Sequence, residues 1–112
     1  MNTGITMMNG SMVMADCDMK ELVRGQDRGL LEKMTPVVER HNVALDLKKV
    51  DRIDAAGIAA LISLYGHARD AGHGFAVANP TAHVREILAL VGLDRILLSQ
   101  QASERLQELT AA

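Results

Sequence analysis

Ala44-Leu45-Asp46-Leu47-Lys48-Lys49-Val50-Asp51-Arg52-Ile53-Asp54-Ala55-Ala56-Gly57-Ile58-Ala59-Ala60-Leu61 carries the pattern that decides the fold. The apolar run Val43–Leu47 reads as a strand. A short polar connection follows, and Ile53-Asp54-Ala55-Ala56-Gly57 opens a helix. The first N–H groups of a helix have no partner inside it, and an aspartate side chain just before the first turn can accept one of them, so Asp54 is read as the N-cap. Ile58, Leu61, Ile62 and Tyr65 recur at helical spacing and are expected to form the buried stripe, with Gly72 and Gly74 ending the helix. Phe75–Ala78 then reads as a second strand. Two strands joined through a helix are expected to run parallel, because such neighbours need a crossover connection.

Working outward, Ile5–Met8 and Ser11–Met14 flank Asn9-Gly10, a dipeptide that tolerates positive φ at both central positions of a hairpin turn. A β-hairpin is expected, its second strand continuing toward Met19. Leu22–Asp27 reads as a loop into a helix whose stripe is Leu30, Leu31, Met34, Val37 and Val38. Pro36 lies inside that stripe, so the helix is expected to kink there or to split, with Thr35 capping the second piece. Asn79-Pro80 turns the chain, Thr81 can cap a third helix with Val84, Ile87, Leu88 and Val91 inward, and Gly92 supplies the left-handed stop. Ile96–Leu98 reads as a last strand and is followed by a polar amphipathic helix with Leu106 and Leu109 on one side. The sum is an α/β domain: a mixed sheet of four to five strands with an N-terminal hairpin and about four helices packed mainly on one face. No linker or repeat divides residues 1–112, and the core is expected to span about 5–109.

Composition narrows the function. With 48% apolar residues, general disorder is excluded. Tyr65 and Phe75 are the only aromatics, the net charge is −2 and no dense Lys/Arg block is seen, so neither a base-stacking platform nor a basic surface for a phosphate backbone is expected, and nucleic acid is a poor partner. Cys17 stands alone, which fits a reducing compartment. No signal sequence and no run of ~20 apolar residues is seen, so a cytoplasmic protein without direct membrane insertion is expected.

Taken together, Ala44–Leu47, Ile53–Gly57, Ala71-Gly72, Asn79-Pro80, Val84–Leu88 and Val91–Arg95 resemble the STAS domain family, over about Ile5 to Leu109. Leu22-Val23-Arg24-Gly25-Gln26-Asp27 is similar to the loop before the first helix in a subset of these domains. The resemblance implies a four- or five-strand mixed sheet with helices largely on one side. It also implies a non-catalytic, protein-binding regulatory role like that of bacterial anti-sigma-factor antagonists, whose partners are anti-sigma factors that are also serine kinases. Those antagonists carry Asp-Ser-Ser-Gly where this chain has Asp54-Ala55-Ala56-Gly57, and phosphorylation of the second serine breaks their complex. Ala56 stands at that position and has no hydroxyl. Transcription control without phosphorylation at Ala56 is therefore the expectation. Related domains also serve as cytosolic accessory subunits of lipid-transporting ABC complexes.

A helix start exposes N–H groups and about half a positive charge, so it can steady a phosphate, whose roughly −1.5 to −2 charge opposes an acidic or apolar partner. Ala55 and Ala56 keep a small, flat surface there, and Gly57 is expected to let a partner backbone approach. Ala56, Ala60, Ser63 and His67 follow at helical spacing as an outward row, with Ala59 alongside. The expected contact set is Asp54, Ala55, Ala56, Gly57, Ala60 and Ser63 with Arg24, Gly25 and Gln26. The same alanines would equally suit a helix-favouring face that covers core, and the 24–27 loop would equally suit a solvated turn.

Other constellations read as structural. Asp54 has no acid/base mate, and there is no phosphate loop, nucleophile–base pair or metal box, so neither enzyme activity nor a cofactor is expected. His41, His67, His73 and His83 lack metal-ligand spacing. Met7, Met8, Met12, Met14 and Met19 offer thioethers to a soft metal, but alternate residues of a hairpin face opposite ways, so they read as core or interface filler. Exposed members could make the hairpin edge sticky toward a second copy of the chain, as a homodimer. Ser63 as a substitute phosphoacceptor, and a small-molecule or nucleotide pocket beside the Asp54 helix end, complete the alternatives. Cys17, flanked by Asp16 and Asp18, reads as a small buried residue.

Overall fold

The computed structural model describes residues 5–8 and 12–98, with side chains over 12–98. The Asn9-Gly10 turn and the expected helix carrying Leu106 and Leu109 lie outside the described residues. The strands are β1 (Ile5–Met8), β2 (Met12–Asp16), β3 (Glu21–Leu22), β4 (Asn42–Asp46), β5 (Arg52–Ile53) and β6 (Phe75–Ala78). The helices are α1 (Asp27–Arg40), α2 (Ala55–Asp70), α3 (Ala82–Leu90) and α4 (Asp94–Leu97). The main sheet has the order β1-β2-β4-β6. β1 and β2 are antiparallel, whereas β2–β4 and β4–β6 are parallel, as the helical crossovers require.

Register explains where the core sits. Val13, Val43 and Phe75 align across the sheet, as do Ala15, Leu45 and Val77, and aligned residues share a face. Those six belong to one cluster with Leu30, Met34 and Val38 of α1, Leu61 and Leu64 of α2, and Val84 and Leu88 of α3. The helices therefore gather on that face. Ala44, Ala76 and Ala78 point the other way and are buried outside the cluster. Asp46, also on that side, is satisfied by the Lys48 N–H at 2.8 Å and by Asn79 Nδ2, which donates at 3.0 Å and so fastens the end of β4 to the end of β6. Cys17 is buried in the core, and burial pushes its thiol pKa up.

Several expectations are corrected. β2 stops at Asp16: the Cys17 N–H still donates to the Asp46 carbonyl at 2.9 Å, and the chain then bends at Lys20. Leu22, expected in a loop, forms β3 with Glu21, and this strand pairs in parallel with Arg52–Ile53 as a separate two-stranded sheet. α1 is not split, and Thr35 caps nothing; the helix runs through Pro36. Pro36 and Glu32, whose carbonyl loses its helical donor, are both exposed, so water can replace the missing bond. Ile62 and Val91, expected inward, are 49% and 51% exposed. Ile96–Leu98 is not a strand: Asp94–Leu97 forms a helical turn, and only Leu98 bridges to Val77. α2 ends at Asp70, two residues before Gly72, which takes the left-handed conformation (φ 80°), as Gly92 does after α3 (φ 78°). Thr81 caps α3 as expected, its Oγ1 accepting the Val84 N–H at 3.3 Å.

Candidate functional site

The short β3–β5 pairing sets the site. Leu22 aligned with Ile53 brings the turn at Arg24, Gly25 and Gln26 beside the first turn of α2. Asp54 ties the two together. Its Oδ1 accepts the Gly57 N–H at 3.1 Å, capping α2. Its Oδ2 accepts the Arg24 N–H at 3.0 Å, thirty residues away in sequence. The Asp54 N–H in turn donates to the Leu22 carbonyl at 3.3 Å. Within the turn, Gly25 adopts φ 101°, a backbone conformation that favours glycine, and its N–H donates to Asp27 Oδ1 at 3.0 Å. The Gln26 N–H donates to the Val23 carbonyl at 2.8 Å.

Two backbone N–H groups, Arg24 first and Gly57 next, hold the Asp54 carboxyl below the usual carboxylate range. A carboxylate with a depressed folded pKa stabilises the fold above its ordinary value and loses that contribution as pH falls through the folded one. The thermal midpoint of Asp54→Asn is therefore expected to lie below that of the parent at neutral pH. The gap should narrow as the pH drops below the ordinary value of 3.8. A gap of constant size down to pH 2 would show that the ionised carboxylate is not what joins the turn to the helix.

Burial sorts the expected contact residues. Arg24, Gly25, Gln26, Asp54 and Ala55 are exposed, and Ala56 and Ser63 are half-buried. Gly57 and Ala60 are buried, so neither offers surface to a partner. Gly57 serves an internal fit: a Cβ there would collide with the Leu22 carbonyl oxygen and lie 2.8 Å from Ile53 Cγ1. Ala60 packs in the core cluster. The exposed row of α2 is Ala55, Ala59 and Ile62, rotated from the row expected through Ala60. Ile62 was missed as a surface residue because Ile58, Ala59, Ala60, Leu61, Ile62 and Leu64 are apolar all round the helix. The signal that could have found it is the spacing of Leu61, Leu64 and Ala68, which sets an inward line that leaves Ile62 to one side.

Chemically, the corner presents small side chains on a rigid base. Both Asp54 oxygens are occupied by backbone donors, and no hydroxyl stands at the start of α2. Nearby ion pairs, Arg52–Glu21 at 3.4 Å and Lys49–Asp18 at 3.3 Å, are solvent-facing and contribute little stability. Among the described residues, no group of three or more His, Cys, Asp or Glu side chains is placed to hold a metal. No described helix is long and apolar enough to cross a membrane.

Comparison with known proteins decides the family. The family model described as the Mlab STAS domain matches residues 21–99, well over half of the chain. The chain belongs to the STAS domain family. Its fold is similar to that of several solved STAS structures. The unphosphorylated anti-sigma factor antagonist SpoIIAA, a Bacillus protein, aligns with TM-score 0.70 and 13% identity over 96% of this chain and 97% of that one. An anti-sigma-factor antagonist (STAS) domain protein from Planctomyces limnophilus gives 0.73 and 13% over 86% of each chain. The murine anion transporter Slc26a9 gives 0.66 and 18% over 81% of this chain, but over only 15% of the transporter. At these identities the likeness is one of fold. No curated protein matches the chain. Within the STAS frame the sequence resemblance stands: a mixed sheet, helices gathered on one face, and Asp54 at the start of α2.

Proposed function

We propose that this STAS domain is a non-catalytic regulatory module that docks another protein. The contact surface would be the corner where the 24–26 turn meets the start of α2. The observation that carries this reading is the double use of Asp54, which fixes an exposed loop and an exposed helix start as one rigid surface. The proposed contact residues are Arg24, Gly25, Gln26, Asp54, Ala55 and Ala56, extended by Ala59, Ile62 and Ser63. Rigid, small-residue surfaces lose little conformational entropy on binding, which favours reversible docking without chemistry. In the anti-sigma-antagonist reading, the partner is a serine-kinase-like anti-sigma factor. Ala56 then makes the complex insensitive to phosphorylation at that position.

A second reading is favoured by the match to the Mlab STAS model. There the domain is a cytosolic accessory subunit of a lipid-transporting ABC complex, docked through the same corner. A hydroxyl-free helix start suits a partner held constitutively.

Capture from native lysate with the full chain as bait tests both. Enrichment of a kinase-like anti-sigma factor supports the first reading, and enrichment of a transporter ATPase the second. Ala56→Asp is the informative variant, because an acidic residue in the first turn of a helix is favourable for the fold. Its capture of the same partner is expected to fall by about tenfold, the effect of losing ~1.4 kcal/mol at an interface. Undiminished capture by a folded Ala56→Asp would place the interface away from the start of α2.

A further inference from the structure

Two cavities lie along the second half of α2, beyond the Asp54 corner. Arg69 lies fourteen positions after Ala55 in the helix, about 21 Å along its axis. The larger cavity, about 270 Å³, has apolar walls that include Met12, Phe75 and Ile96. Its polar lining is Tyr65, Arg69, His73 and Arg95, with no carboxylate among the described lining residues. The second cavity, about 200 Å³, lies between α2 and α4 and is lined by Ile62, Tyr65, Leu93, Ile96 and Leu97. Tyr65 and Ile96 line both, so an apolar slot lies beside a cationic one.

We propose that this pair of cavities binds a small amphiphilic anion, an apolar chain ending in a carboxylate or phosphate. The chain lies in the slot between α2 and α4, and the anionic head sits at Arg69, with His73 bordering it. A site with largely apolar walls and a few convergent polar groups is how small-ligand pockets are built. Two arginines in the described lining, Arg69 and Arg95, set the sign of the ligand's charge. His73 is held in place: its Nδ1–H donates to the Val38 carbonyl at 3.1 Å. The exposure of Ile62 (49%) and Ile96 (43%) has the same explanation, since both border the slot. The cationic cavity shares no residue with the proposed docking surface, and the slot meets that surface only at Ile62.

The test is a titration of the isotope-labelled full chain with octanoate, followed by amide chemical shifts. Octanol and octyltrimethylammonium serve as uncharged and cationic controls, and inorganic phosphate as an anion without a chain. Saturable octanoate shifts clustered on Tyr65, Arg69, Gly74 and Ile96 are expected, with octanol binding at least about tenfold more weakly, as loss of a charge-assisted contact implies. Arg69→Gln and Ile96→Ser should each weaken octanoate with urea stability unchanged, because both positions are exposed. Equal binding of octanol, or shifts scattered over the surface, would overturn the proposal. Binding to phosphatidylglycerol vesicles without binding of monomeric octanoate would also overturn it, by pointing to a lipid surface instead of an enclosed site.

Discussion

Gly57→Ala is expected to destabilise the protein by about 3 kcal/mol or more, the upper range for forcing a methyl into packed structure. For a domain of this size that corresponds to a fall in thermal midpoint of about 12 °C or more, at ~4–8 °C per kcal/mol. The sign is diagnostic. Inside an ordinary helix, alanine is ~1 kcal/mol better than glycine. Here the added Cβ meets the Leu22 carbonyl oxygen and, at 2.8 Å, Ile53 Cγ1. A backbone oxygen held by the β3–β5 pairing cannot rotate away, and it is also the acceptor for the Asp54 N–H. The clash therefore opens the joint that holds the 24–26 turn against α2. Urea unfolding measures the effect. A neutral or stabilising Gly57→Ala would mean that β3 does not press against the helix start.

Ala59→Arg is expected to weaken partner binding by about a hundredfold, or ~2.7 kcal/mol, while leaving stability within ~0.5 kcal/mol of the parent. Ala59 is exposed one turn after Ala55, and arginine is nearly as good a helix former as alanine. A long cation on a small-residue surface blocks close approach without disturbing the core. Ala60→Arg is the contrasting neighbour: Ala60 is 2% exposed, so the same change there forces a charge into the core and unfolds the domain. Titration calorimetry with the captured partner measures the first effect, and circular dichroism on both variants separates the two. Full affinity in a folded Ala59→Arg would remove the exposed row of α2 from the interface.

What the residues revealed beforehand depended on whether a local signal existed. Asp54 and Thr81 as caps, Gly92 as a stop, and the strands near Val43–Leu47 and Phe75–Ala78 were legible because each uses a residue type suited to one backbone role. β3 and β5 were not, since two residues carry no periodicity and their pairing spans about thirty positions. Pro36 misled because an exposed proline in a helix costs less when water can reach the freed carbonyl. Ile96–Leu98 looked like a strand by composition, yet it lies in the short α4 turn and the single bridge that follows. Along α2 the helix and its cap were legible and the facing was not. An α2 that is apolar on every side gives no phase, so its residue pattern points Ala60 outward and Ile62 inward, the reverse of what is found. Gly57 suggests clearance for a partner, but the space it leaves is filled by Leu22.

The most direct test is amide hydrogen exchange on the full chain, alone and bound to the captured partner. Slowed exchange in the complex is expected at 24–26 and over 55–63 together, since Asp54 joins the two segments into one surface. Protection confined to the alanine face of the sheet, around Ala44 and Ala76, with 24–26 and 55–63 unchanged, would contradict docking at the Asp54 corner.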